Sequence, residues 1–278
     1  MAETSRAFVI GHPIAHSRSP MIHRHWLGQH GIDGTYDAID VAPDGLALFL
    51  ERVRSGELVG GNVTIPHKER VFEAVDRRDD AAEAIGAVNT LWMEEGKLVG
   101  GNTDAYGFAA NLDAGAPQWR EAGSALVLGA GGAARAVLHA FRSAGIGRIT
   151  VLNRTQARAE ELALAFPGVE AAGLDAGQTL LPRADLLVNT TSLGMKGQPP
   201  LDLDLDALPG GAIVTDIVYA PLETPLLRQA NARGLKTVDG LGMLLHQAVP
   251  GFERWFGVRP EVSSDLRALV VADLEAKR

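Results

Sequence analysis

Ala125-Leu126-Val127-Leu128-Gly129-Ala130-Gly131-Gly132-Ala133-Ala134, running on into Arg135–Ser143, is the most informative stretch of this chain. Its opening apolar residues read as a short buried strand, the glycine-rich stretch as a tight turn, and Arg135–Ser143 as a helix. Strand, Gly-x-Gly-x-x-Ala turn and helix in direct succession are the context that a dinucleotide fingerprint requires. Gly129 permits the turn, and Gly131 lets the backbone approach a pyrophosphate lying on the helix N-terminus. Ala134 meets the need for a small side chain where helix packs on strand. Ala130, Gly132 and Ala133 complete the loop. The competing reading is a glycine-rich turn that binds nothing.

Beyond this motif, strands are expected at Arg148–Leu152, Leu186–Asn189, Ile213–Ile217 and Thr237–Val238, with helical stretches between most of them. Such alternation specifies a parallel, doubly wound sheet of Rossmann type. The second strand runs into Asn153-Arg154-Thr155, where a site for NAD would carry an acidic residue for the ribose hydroxyl. Arg154, with Arg158 one helical turn later, instead suits a 2′-phosphate, so NADP is the expected cofactor. Thr155 as a plain N-cap, with both arginines solvated, is the alternative.

Upstream, Phe8–Gly11, Thr35–Val41 and Leu58–Val63 read as strands, with Met21–His30 and Gly45–Arg54 as helices. Short helices are expected over Glu69–Val75 and Ala81–Ile85, then a hairpin of Ala87–Met93 and Lys97–Gly100. Gly240–Phe256 and Ser264–Lys277 read as two helices returning to cover the first domain. The fold class is therefore α/β. An N-terminal α/β substrate-binding and catalytic domain (1–105 and 240–278) is expected beside a Rossmann-type NADP-binding domain (106–239), with the site in the cleft between them.

A chain of 278 residues is long for a single core. Apolar residues at 46% and charged residues at 22% fit a soluble globular protein, and no apolar run approaches the roughly 20 residues that cross a bilayer. Residues 1–6 lack the apolar stretch of a signal peptide, so a cytoplasmic location is expected. The absence of cysteine excludes disulfides, thiolate nucleophiles and cysteine-held metals. A formal charge of -8 gives no footprint for nucleic acid. His23 and His25 beside Trp26 read as helix surface rather than a ligand pair, and no metal is assigned.

Eight ordered blocks resemble the shikimate dehydrogenases over essentially the whole length. They are Gly11-His12-Pro13 with Ser17-Arg18-Ser19-Pro20, Asn62-Val63-Thr64-Ile65-Pro66-His67-Lys68, Ala87-Val88-Asn89-Thr90, Gly101-Asn102-Thr103-Asp104, the nucleotide loop, Asn153-Arg154-Thr155, Asn189-Thr190-Thr191-Ser192, and Asp239-Gly240-Leu241-Gly242-Met243 with Gln247. The resemblance implies reversible reduction of 3-dehydroshikimate to shikimate with NADPH, in aromatic amino-acid biosynthesis. It implies Lys68 and Asp104 as the catalytic pair, and Ser17, Ser19, Thr64, Asn89 and Gln247 as holders of the substrate hydroxyls and carboxylate, with Tyr219 near them. Ile217 and Gly240 join the cofactor group. The small-molecule substrate is then the expected partner, with no nucleic acid or membrane, and a homodimer is left open.

The residue chemistry agrees, because a polyhydroxylated acid needs many short polar groups at loop ends. Each residue also has a structural alternative: Ser19 as an N-cap before Pro20, Asn89 and Asn102 as turn residues, and Asp104 as the cap of a helix starting near Tyr106. Lys68 at a helix start is disfavoured by the helix dipole, which points toward function. Competing activities are a dual quinate/shikimate dehydrogenase, also using NAD, and a non-catalytic NADP-binding regulator. Ser19, where quinate-using relatives often carry threonine, and Arg154 oppose the first; Lys68 with Asp104 opposes the second. A folate dehydrogenase would want an aromatic-lined pocket, which 5% aromatics do not obviously provide.

Overall fold

Alternating polar and apolar runs build two sheets in a computed structural model that describes residues 4–276. The chain divides into two compact units, Met1–Thr103 with Leu245–Arg278, and Asp104–Leu244. These divisions fall slightly before the first expected boundary and slightly after the second.

The first unit holds β1 (Ser5–Gly11), α1 (Ser19–His30), β2 (Gly34–Asp40), α2 (Leu46–Arg54), β3 (Gly60–Val63), α3 (Lys68–Ala74), β4 (Arg77–Arg78), α4 (Asp80–Ile85), β5 (Thr90–Glu94) and β6 (Lys97–Gly101). Its sheet order is β2-β1-β3-β5-β6-β4. β1 pairs in parallel with β2 and β3, whereas β5 runs antiparallel to β3 and β6. Phe8 and Ile10, two apart on β1, enter one apolar cluster with Leu46, Phe49, Leu50 and Val53 of α2. That is the period of a strand meeting the period of a helix. Each large side chain buried there contributes about 1.5–3 kcal/mol relative to exposure. The two-residue β4 was not foreseen, since a pair of arginines carries no strand signal.

The second unit holds α5 (Asp104–Gly115), β7 (Ser124–Leu128), α6 (Gly132–Ser143), β8 (Arg148–Asn153), α7 (Gln156–Ala165), β9 (Val169–Gly173), α8 (Gly177–Leu180), β10 (Leu186–Asn189), β11 (Ile213–Asp216), α9 (Pro225–Ala232), β12 (Lys236–Val238) and most of α10 (Leu241–His246), whose last two residues belong to the first. Sheet order β12-β11-β10-β7-β8-β9, parallel throughout, is the doubly wound arrangement with its switch point between β7 and β10. The unpredicted β9 is an edge strand of Val169, Glu170 and small residues, too weakly apolar to stand out.

Two more helices, α11 (Val249–Phe256) and α12 (Ser264–Ala276), complete the first unit. The single helix expected over Gly240–Phe256 is thus two. Pro250 lacks an N–H, and its ring would clash with the carbonyl of His246 in a continuous helix. Lys277, the expected end of the last helix, lies outside the described residues. The Trp255 indole donates to the Leu91 carbonyl, the Trp26 indole to the Glu261 carbonyl, and Arg18 pairs with Asp273 at 3.0 Å.

The expectation of a surface histidine pair is corrected. His23 is wholly buried, stacked on Tyr36 with ring centroids 3.9 Å apart and close to Phe252 and Trp255. Burial, opposed in part by Asn62, pushes its pKa down to about 3, so it stays neutral.

Candidate active site

Loops at the C-terminal ends of β1 and β3 bring the first group of expected residues together. The Thr64 N–H donates to the Ile10 carbonyl and the His12 N–H to that of Ile65, so the Gly11–Ser17 loop lies beside Thr64. A Cβ on Gly11 would strike the Thr64 side chain. The Ser17 N–H donates to Ile14, and the Ser19 N–H donates to the Ser17 hydroxyl at 3.3 Å. Ser19 does not cap α1. Arg18 occupies the N-cap position, while Ser19 is the first helical residue and is buried. Its hydroxyl lies by the Tyr36 phenol, which burial holds well above 10 against the opposing effect of Ser19 and Asn62.

Lys68 opens α3, the electrostatically unfavourable end that the sequence suggested. Buried His67 anchors this end: a carbonyl only accepts, so Nε2–H donates to the Val41 carbonyl at 2.7 Å. The Val88 N–H donates to the Lys68 carbonyl and the Val63 N–H to that of Asn89, which draws Thr64, Lys68 and Asn89 together. Asn102 donates to the Ala87 carbonyl and its N–H meets Asp79, the half-buried cap of α4, whose pKa burial raises. Gln247 sits in the turn between α10 and α11. Asp104 opens α5, where its charge suits the helix dipole, and belongs with half-buried Tyr219 to the second unit.

Within the second unit, a cavity of about 470 Å³ lies at the C-terminal ends of β7, β8 and β10, the switch point where doubly wound sheets bind ligands. Gly129, Ala130 and Gly131 line it, together with Asn153, Arg154, Thr155 and Arg158. Gly129 has φ +107°, and a Cβ there would meet the Thr190 hydroxyl, so only glycine serves. A Cβ on Gly131 would meet nothing within 4 Å, which leaves room for a ligand at the start of α6. Thr155 takes the N-cap position of α7 but makes no side-chain cap bond. These features fit a dinucleotide whose phosphates rest on α6 and whose ribose lies toward the two arginines.

Leu174, Thr190, Thr191, Ser192, Leu193, Gln198, Pro199 and Leu201, none of them expected as site residues from the sequence, also line this cavity. Asn189 shapes the turn they start from: its oxygen accepts from the Thr191 N–H and hydroxyl, and its Nδ2 donates to Leu193 and Asp216. Asp216, whose pKa burial raises, also accepts from Thr224 and Val218, fixing the segment that carries Ile217.

Gly240 backs directly onto that segment, since a Cβ there would fall against the Ile217 and Asp216 carbonyls. Gly240→Ala must therefore push Ile217 aside. The expected outcome is a loss of about 1–3 kcal/mol in urea denaturation together with weaker NADP binding by fluorescence titration.

Three family models match in sequence: the shikimate dehydrogenase substrate binding domain over residues 9–91, shikimate/quinate 5-dehydrogenase over 117–195, and the shikimate 5′-dehydrogenase C-terminal domain over 240–270. A relative from Mesorhizobium japonicum, named shikimate dehydrogenase (NADP(+)), is 63% identical, with 99% of this chain and 98% of that protein covered. One of the same name from Chelativorans sp. is 60% identical over 99% of each. Among solved structures, shikimate 5-dehydrogenase of Thermus thermophilus, in complex with NADP(H) and shikimate, superposes with a TM-score of 0.85 at 41% identity, covering 97% of this chain and 100% of that one. Quinate dehydrogenase of Corynebacterium glutamicum, in complex with NAD, gives 0.88 at 30% identity, with 97% and 99% covered. With relatives at this identity matching end to end, and the motifs gathered as described, the chain belongs to the shikimate dehydrogenase family.

Proposed function

We propose that this protein is an NADP-dependent shikimate dehydrogenase, reducing the ring ketone of 3-dehydroshikimate to the shikimate hydroxyl and running in reverse, within aromatic amino-acid biosynthesis. The observation that carries the reading is the switch-point cavity lined by Arg154 and Arg158 where an NAD site would present an acid. The end-to-end similarity to NADP-named relatives supports it. The first unit takes the role of substrate binding and the second that of NADP binding.

The dinucleotide, when bound, supplies or accepts the hydride. Lys68 donates a proton to the ketone oxygen as the ring carbon is reduced, so C=O becomes CH–OH, and takes it back in the oxidation. Asp104 orients Lys68 and bonds the adjacent hydroxyl. Ser17, Ser19, Thr64, Asn89, Tyr219 and Gln247 hold the carboxylate and remaining hydroxyls, groups that the reaction leaves unchanged. Gly129–Ala133 carry the pyrophosphate, Asn153–Thr155 and Arg158 the ribose phosphate, and Ile217 and Gly240 the nicotinamide end.

Among the described residues no helix is long and apolar enough to cross a membrane, and no cluster of histidine and acidic side chains could hold a metal. The same reading puts the enzyme in the cytoplasm without membrane or nucleic-acid partners; sedimentation would establish whether it forms a homodimer. Initial rates with shikimate and quinate, each with NADP and NAD, test the activity. The expected result is a kcat/KM for shikimate with NADP at least about 100-fold above every other combination. Comparable quinate or NAD rates would replace it with a dual-specificity enzyme, and no turnover with any pair would leave a binding protein.

A further inference from the structure

Residues two apart on a strand share a face. The register of the second sheet therefore sets Ser124 beside Arg148, Leu126 beside Thr150, and Thr150 beside Glu170 on one face of β7, β8 and β9. Leu126 packs in the apolar cluster of Leu152, Leu181, Ala184 and Leu187, so this is the face that the crossover from β9 to β10 must cover. That crossover is short: α8 has four residues, flanked by single 3-10 turns at Leu174–Ala176 and Leu181–Arg183. It leaves a cavity of about 190 Å³ at the N-terminal ends of the strands, whereas the nucleotide cavity lies at their C-terminal ends.

Leu126, Leu180 and Ala184 give this cavity an apolar floor, and Arg148, Thr150, Glu170 and Arg183 give it a polar side. Thr150 is buried, and its hydroxyl donates to Glu170 Oε2 at 3.3 Å. Ser124 is engaged elsewhere, with its hydroxyl 2.7 Å from the Arg183 carbonyl and 2.8 Å from the Asp185 carboxylate. Asp185 also accepts from the Gly123 and Ser124 N–H groups, so it is turned to the main chain. Neither Arg148 nor Arg183 has an ion-pair partner among the described residues. A guanidinium fork suits a carboxylate, and two of them with a single lining carboxylate attract an anionic group. Glu170 repels a bare anion and matches an ammonium group. The volume, below the roughly 300–1,000 Å³ of pockets for drug-sized ligands, confines the occupant to a small molecule.

We propose that this cavity is a second binding site, for a small α-amino acid with an apolar side chain. Its carboxylate lies on Arg148 and Arg183, its ammonium group at Glu170, and its side chain on Leu126, Leu180 and Ala184. The length of β7 and β8 separates it from the nucleotide cavity.

Isothermal titration calorimetry on the whole protein, without NADP and then with NADP at saturation, tests this with L-leucine, 4-methylpentanoate, 3-methylbutylamine and inorganic phosphate. The second probe is leucine without its ammonium group, and the third is leucine without its carboxylate. Leucine should bind with a Kd of about 1 mM or tighter, with or without NADP. The other three should bind at least about tenfold more weakly, the scale of one lost charge-assisted hydrogen bond. Arg148→Gln with Arg183→Gln should weaken leucine by about tenfold or more, and Arg183→Gln alone, at about fivefold, carries the test if the pair does not fold. Glu170→Gln should bring leucine and 4-methylpentanoate within about threefold of each other. All three side chains are exposed, and wild-type urea midpoints would show the fold intact. No leucine binding below about 10 mM, or undiminished binding in the arginine variants, would overturn the site. Phosphate bound as tightly as leucine would leave a plain anion site, and leucine displaced by NADP would belong to the nucleotide cavity; either result overturns the proposal.

Discussion

Lys68→Met is expected to lower turnover by two orders of magnitude or more, the range for a lost acid–base group, while KM for shikimate moves far less. Methionine is unbranched and only one atom shorter than lysine, but carries neither charge nor transferable proton. The oxygen that Lys68 serves carries negative charge mainly in the transition state, so its contribution falls on kcat. Ser17 and Gln247, by contrast, contact groups unchanged by reaction, and their replacement should appear in KM. Asp104→Asn separates orientation from chemistry: its turnover loss should be smaller, and the double variant should be no worse than Lys68→Met alone, as for two residues acting as one unit. Stopped-flow measurement of the hydride step alongside steady-state rates would locate the loss. Near-normal turnover with only a raised KM would make Lys68 a binding residue, and the proton would have to come from water or another group.

Replacing both Arg154 and Arg158 with glutamine should weaken NADP about 100-fold in KM or Kd and leave NAD within about twofold, since only the 2′-phosphate loses its partners. The size follows from two charge-assisted hydrogen bonds at about 1.5 kcal/mol each, a tenfold effect apiece. Both arginines are exposed on the cavity rim, where salt screens them, so the wild-type preference should itself narrow at high ionic strength. An unchanged NADP-to-NAD ratio in the double variant would show that the phosphate is held elsewhere.

The parallel sheet was legible because each of its inner strands is a compact apolar run with turn residues on either side, as at Leu186–Asn189 and Ser124–Leu128. One edge of each sheet was not: β9 is mostly small residues and β4 is two arginines, whereas the opposite edges, β12 and β2, were expected. The nucleotide loop announced itself through Gly129 and Gly131, whose backbone demands few residues can meet. Gln198, Pro199 and Leu201 gave no such signal, since their loop reads as an ordinary connection. Only its position after β10, at the switch point, marks it. His23 was misread because a histidine between arginine and isoleucine suggests solvent, whereas its burial depends on Phe252 and Trp255, more than two hundred residues away in the chain. A hydrogen-bonded chain behind Asn89 was likewise invisible, for it joins Tyr36, Asn62, Thr90 and Thr103 from four separate segments.

The division of the chain also orders its birth. Residues 104–244 are contiguous, so the ribosome delivers the whole nucleotide-binding unit in one stretch, ready to fold as it emerges. The first unit starts earlier and finishes later. Its sheet waits, with Gly60 and the Leu91 carbonyl uncovered, until Trp255 arrives to pack on one and bond the other, and Ser17 and Ser19 flank an arginine whose partner, Asp273, is made only after the nucleotide-binding unit. A chain truncated before α11 would hold a finished cofactor fold and an open substrate half, a natural target for chaperones and proteases.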